Sequence, residues 1–137
     1  MAHIDTKLPQ LVIDEANKLL QHATLEERLK LNVKIINGSD QVKCIYGMMT
    51  GWCFSDRAGE LISLCDVQYS VYLLDFLKPS FERPIDSFQR AYTAIEFFIA
   101  HKAWKHNAPI LVEYLRGERL TLTAEELTYN AFCDETA

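Results

Sequence analysis

The sequence predicts a mainly α-helical, single compact domain of about six to seven short helices, with room for a minor two-stranded element. Three observations carry this. Apolar residues recur at helical spacing through most of the 137 residues, and three Thr-x-x-Glu sequences mark helix starts. Glycine, asparagine or proline stands at the expected breaks. A chain that is 49% hydrophobic and 24% charged can build one core, so neither disorder nor a second domain within residues 1–137 is expected.

Taken in order, Leu8, Leu11, Val12, Ala16, Leu19 and Leu20 form the first helical stripe, with Asp14, Glu15, Asn17 and Lys18 as its polar surround. Pro9 falls in the first turn, where its missing N–H costs nothing. Thr24-Leu25-Glu26-Glu27 is a capping box opening a second helix. Leu29, Val33 and Ile36 extend that stripe to Asn37-Gly38, so the helical reading is preferred to the end of this segment. The alternation of Leu31, Val33 and Ile35 before Asn-Gly also fits a hairpin, which is the alternative for residues 31–46. Ser39-Asp40 can cap a helix with Val42, Ile45, Tyr46 and Met49 inward, ended by Gly51. Ser55 caps a further helix through Cys65 that turns Ala58, Leu61, Ile62 and Cys65 to the core.

Val67 to Leu77 is apolar nearly throughout, which periodicity cannot divide between helix and strand, and two prolines make residues 78–84 a loop. Thr93-Ala94-Ile95-Glu96 is a second capping box, leading to Phe98, Ile99 and Ala103. A helix restarts at Asn107-Ala108-Pro109 and stops at Gly117. Leu120-Thr121-Leu122 is a short extended piece before a third box, Thr123-Ala124-Glu125-Glu126, with Leu127 and Phe132 beyond.

The charge balance, 14 basic against 19 acidic residues, gives a net −5 with no basic run longer than two. That argues against general nucleic-acid binding, which needs a clustered basic face, and leaves room for one small anion pocket. No stretch is apolar over the roughly 18–20 residues of a membrane span. Provided that Met1 is the native start, a cytoplasmic location follows, with Cys44, Cys53, Cys65 and Cys133 as reduced thiols. A leader removed from the mature chain would reverse both expectations.

The segment least like plain scaffold runs from Cys44 to Arg57. Gly47 and Gly51 interrupt its helical pattern, each costing about 1 kcal/mol relative to alanine. A tight helix crossing accounts for that cost, and so does a pocket at residues 46–57 that takes a nucleotide or other small anion. In the second reading Tyr46, Met49 and Trp52 form the walls, Thr50, Ser55 and Arg57 are the polar handles, and the amides opening the Ser55 helix face the ligand. Cys53, just before a helix start, is the candidate reactive thiol. Tyr72 and Trp104 join Trp52 as candidate anchors for a protein partner.

The string Cys-Ile-Tyr-Gly-Met-Met-Thr-Gly-Trp-Cys-Phe-Ser-Asp-Arg-Ala at residues 44–58 resembles a pattern in small uncharacterised proteins of bacteriophages and prophages. Residues 113–118, Glu-Tyr-Leu-Arg-Gly-Glu, resemble a second block of the same group. The resemblance implies a phage-type accessory protein that neutralises a host component. It carries no catalytic residue.

Enzyme signatures are otherwise absent. The cysteines lack the two-to-four-residue spacing of zinc ligands, so no metal is expected. His101 and His106 point about 140° apart on a regular helix and cannot share one ion. The pairs Glu26-Glu27 and Glu125-Glu126 belong to capping boxes. There is no Walker loop, dinucleotide fingerprint or nucleophile elbow, and no cofactor is expected. The reading is therefore a small interaction protein, an inhibitor or accessory of phage type that binds a host macromolecule, with a homodimer compatible. A small-ligand binder and an enzyme using Cys53 are the alternatives.

Overall fold

Three capping boxes do set the helix starts. A computed structural model describes residues 7–36, 43–53, 55–65, 93–100 and 105–128. Among these are seven α-helices: α1 (Leu8–His22), α2 (Leu25–Leu29), α3 (Ile45–Thr50), α4 (Asp56–Cys65), α5 (Ala94–Ala100), α6 (Ala108–Leu115) and α7 (Ala124–Thr128). A 3-10 turn, Lys105–Asn107, precedes α6, and no described residue lies in a strand or sheet. The mainly α class holds. The readings for Ser39-Asp40, residues 67–77 and 78–84, Tyr72, His101, Ala103, Trp104, Phe132 and Cys133 lie outside the described residues.

In each box the threonine hydroxyl accepts the amide three residues on, while the glutamate accepts the threonine's own amide. The two distances are 3.1 and 2.9 Å at Thr24–Glu27, 3.1 and 2.9 Å at Thr93–Glu96, and 3.3 and 3.0 Å at Thr123–Glu126. Ser55 Oγ likewise takes the Ala58 amide at 3.2 Å and opens α4. Helix α3 ends at Gly51 with φ +98°, and α6 ends in a Schellman arrangement, Gly117 at φ +81° with Glu118 N–H on Glu113 O at 2.9 Å.

The core forms around α1, which packs against α4, α5, α6 and α7, while α3 bridges α2 to α4. Leu8, Val12, Ala16 and Leu19 are fully buried from α1, and Tyr46, Met49, Leu61, Phe97, Phe98, Leu111, Leu115 and Leu127 meet them. Full burial of one such aliphatic side chain is worth about 1.5–3 kcal/mol.

One expectation is corrected. Helix α2 stops at Leu29 instead of running to Ile36, and no hairpin replaces it among the described residues. The chain turns through 31–36, with Lys34 N–H on Asn32 Oδ1 at 3.0 Å and Ile35 N–H on Asn32 O at 3.2 Å. The carbonyls of Leu29 and Leu31, which a continuing helix would use internally, instead accept Arg116 Nη1 at 2.6 and 2.8 Å. Residues 120–122, read as a short extended piece, connect α6 to α7 without forming a strand. Asn107, read as part of the helix restart, makes no side-chain cap. Its Nδ2 donates to Leu127 O at 2.6 Å and joins α7 to the start of α6.

Three of the four described glycines differ in backbone conformation. Gly51 and Gly117 have positive φ, whereas Gly59 is helical, exposed and has open space where a Cβ would stand. Gly51→Ala and Gly117→Ala are expected to destabilise the fold by about 1–2 kcal/mol each, and Gly59→Ala to stabilise it by about 0.5–1 kcal/mol. Urea unfolding midpoints of the three variants check the signs.

Candidate functional site

Residues 46–57 are drawn together by the α3–Gly51–α4 turn, but their polar groups face one another and the core. Thr50 Oγ1 donates to Tyr46 O at 2.7 Å and lies 3.1 Å from Trp52 O, and Ser55 Oγ donates to Thr50 Oγ1 at 3.0 Å. Trp52 is half exposed, whereas Met49 is wholly buried and Cys53 nearly so. Reactive thiols sit in partly exposed, electropositive surroundings, and the turn instead shields Cys53. Cys44 and Cys65 are buried as well.

Arg57 is the residue whose placement differs most from an anion handle. Its Nε and Nη2 hold Glu27 Oε2 and Oε1, both at 2.8 Å, a bidentate pair. Nη2 also reaches His22 O at 3.0 Å, and Nη1 meets Glu60. The guanidinium hydrogen bond brings the Glu27 carboxyl down to about 2, and the same bond raises Arg57 further above its already high value. An incoming anion would have to displace Glu27. The other lining residue, Tyr46, turns its hydroxyl away from the turn and into the core.

There it meets Glu15. This side chain is fully buried, with Tyr46 Oη donating to Oε2 at 2.5 Å and the Ile95 amide of α5 donating to Oε1 at 2.9 Å. Thr93 also hydrogen-bonds it, Glu96 adds like charge, and the Cys65 thiol lies alongside. Burial dominates and pushes the Glu15 carboxyl up to about 7, although the bonds from Tyr46 and Ile95 favour its charged form. Burial, with Glu15 close by, also raises the Tyr46 hydroxyl well above its usual range and the Cys65 thiol to about 11. The cluster can hold or release one proton near neutrality. Among the described residues, no group of three or more His, Cys, Asp or Glu side chains is placed to hold a metal ion.

The sequence did contain a signal for Glu15. Leu8, Val12, Glu15 and Leu19 follow a four-three-four spacing, so Glu15 stands on the apolar stripe and not in its polar surround.

An open cleft of about 450 Å³ lies on another face, between residues 29–34 and α6 with the residues after it. Leu29, Leu31, Val33, Pro109 and Val112 give its apolar lining, and Lys30, Lys34, Glu113, Arg116 and Glu118 its charged one. No local sequence pattern marks this place, because its two walls lie some eighty residues apart in the chain. No helix among the described residues is long and apolar enough to cross a membrane.

No family model matches this chain, and neither does any curated protein or solved structure.

The Glu15 environment gives a signed pH dependence. The carboxyl lies at about 7 folded against 4.5 for the ordinary group, so its contribution to stability is complete below pH 4.5 and is lost as pH rises through about 7. At about 1.4 kcal/mol per pH unit this is roughly 3 kcal/mol. Glu27 acts in the other window: the stability it contributes is present above pH 4.5 and lost as pH falls towards about 2. Glu15→Gln, which can donate to Tyr46 Oη while accepting the Ile95 amide, is expected to flatten the unfolding free energy between pH 4.5 and 7. Urea titrations at stepped pH check it, and an unchanged slope in the variant counts against the assignment.

Proposed function

We propose that this chain is a small partner-binding protein, with the face around the 29–34/α6 cleft as its contact surface. One observation carries this reading. The large hydrophobic side chains exposed among the described residues are Leu25, Leu29, Ile35, Trp52, Leu64 and Leu120. Leu29 lines the cleft itself, Leu25 stands one helical turn before it, Ile35 follows Lys34, and Leu120 lies two residues beyond Glu118. Leu120 is 94% exposed, which costs solvation with no compensating contact in the isolated chain. Apolar side chains scattered singly need no explanation, but four of these six line the cleft or stand within four residues of its lining along the chain, which favours this face as an interaction surface.

The surface is also held in shape before any partner arrives. Arg116 holds the carbonyls of Leu29 and Leu31, and Arg28 Nη1 donates to Leu115 O at 2.9 Å. A preformed face loses less side-chain and loop entropy on association. The envisaged partner is a protein of a host cell, in keeping with the phage-type resemblance of residues 44–58 and 113–118.

Leu25→Ser/Leu29→Ser is expected to leave the helical signal intact and to weaken partner capture by about tenfold to a hundredfold, since each leucine is half buried already and gains only about half of the roughly 1.5–3 kcal/mol of full burial. Quantitative co-purification of wild-type and variant chains, with native mass spectrometry of each, is the test. A partner lost selectively from the variant supports the reading. A small-molecule adduct with no protein partner contradicts it, and so does a partner set that the variant leaves unchanged.

A further inference from the structure

The charged residues of the cleft fall into two groups. Its acids face arginines: Glu118 Oε2 lies 3.0 Å from Arg116 Nε, and Glu113 Oε1 3.8 Å from Arg119 Nη1. Its lysines do not face acids. Lys30 and Lys34 are exposed on the turn that follows α2, and neither side chain enters an ion pair or hydrogen bond. They are brought to one rim by the turn itself, in which Asn32 Oδ1 accepts the Lys34 amide and Met48 Sδ accepts the Asn32 amide at 3.5 Å. Leu29, Val33 and Val112 line the same cleft. The cleft therefore sets two unanswered positive charges over an apolar floor, in a chain whose net charge is −5.

We propose that this cleft docks an acidic peptide segment of a partner protein, one large apolar side chain entering between Leu29, Val33 and Val112 while neighbouring carboxylates meet Lys30 and Lys34. The proposal rests on the interaction reading above and names the chemistry of the partner at that site. The volume of about 450 Å³ accommodates one or two side chains and not a folded domain, so the recognised element is a segment. An apolar floor suits an anchoring side chain, and the lysine rim sets which sequences are accepted and speeds their encounter. A nucleic acid fits less well. Two lysines give little counterion release, and the net charge of −5 opposes a polyanion.

The experiment is selection of a random peptide library displayed on messenger RNA against the full chain, followed by fluorescence anisotropy with the synthetic winner. A labelled mixed-sequence single-stranded oligonucleotide is titrated in parallel. Enriched peptides are expected to set Asp or Glu beside a large apolar residue. Their binding should weaken with added salt and fall by about tenfold or more on Lys30→Glu/Lys34→Glu, as like charges then face one another. Lys30→Gln/Lys34→Gln should fall between the two, and circular dichroism confirms that both variants stay folded. Winners that lack acids, or that bind the Lys→Glu variant as well as wild type, overturn the cleft assignment while leaving the interaction reading in place. Oligonucleotide binding lost in the same variant, with no peptide enriched, replaces the acidic peptide with a polyanion. Absence of both overturns the proposal outright, and the co-purification above then decides the broader reading.

Discussion

Three helices that are remote in sequence meet at one carboxyl group. Glu15 projects from α1 into the core, where the Tyr46 hydroxyl from α3 and the Ile95 amide at the start of α5 converge on its two oxygens. An ionised carboxylate in such a place would cost several kcal/mol if it stood alone. The arrangement lowers that cost in two ways. The first turn of α5 offers an amide that has no partner within its own helix, and Tyr46 offers a hydroxyl that would otherwise be buried unsatisfied. Desolvation still prevails, and the carboxyl holds its proton to about pH 7. Removing Glu15 therefore strands two donors, while keeping it ties α1 to α3 and to α5 by one hydrogen bond each. The apolar contacts that α1 makes on either side of Glu15 form around those two ties.

The opposite solution operates at the surface around α2. A five-residue helix is too short to persist alone, since nucleation cost is not recovered over so few hydrogen bonds. It is retained by side chains from elsewhere. Arg57 grips Glu27 at its first turn, Arg116 takes the carbonyls at its end, and Arg28 returns a bond to the end of α6. Residues 44–58 and residues 113–118 thus each contribute an arginine to the same short helix. Their shared role here is to hold α2 and the turn after it, which together build one wall of the cleft. Arg57, expected to contact a ligand, instead braces the helix that builds one wall of the cleft.

What the sequence made legible is what short-range chemistry decides. The Thr24, Thr93 and Thr123 boxes, the Ser55 cap and the Gly51 and Gly117 stops each depend on residues within five positions of one another, and each was read correctly. The end of α2 was not. Leu29, Val33 and Ile36 satisfy a helical spacing, but Arg116 removes the carbonyls such a helix would use, and that residue is more than eighty positions away. The same remoteness hid the partner of Arg57: the spacing advertised a cation near a helix start, while Glu27 thirty residues earlier had already claimed it. Glu15 was a different failure. Its position on the apolar stripe was visible, but a glutamate in a helix is ordinarily solvated, and only Tyr46 and Ile95 make its burial tenable.

The meeting of α1, α3 and α5 depends most on the state of that buried carboxyl, which can be observed directly. Carbon-13 chemical shifts of the glutamate side-chain carboxyls, followed through a pH titration of the folded protein and assigned with Glu15→Gln, report its protonation without reference to unfolding. A midpoint near 7 for Glu15 is the predicted result. A midpoint near the ordinary 4.5 would mean that water reaches the group, and the meeting of α1, α3 and α5 at Glu15 would not be the constraint described here.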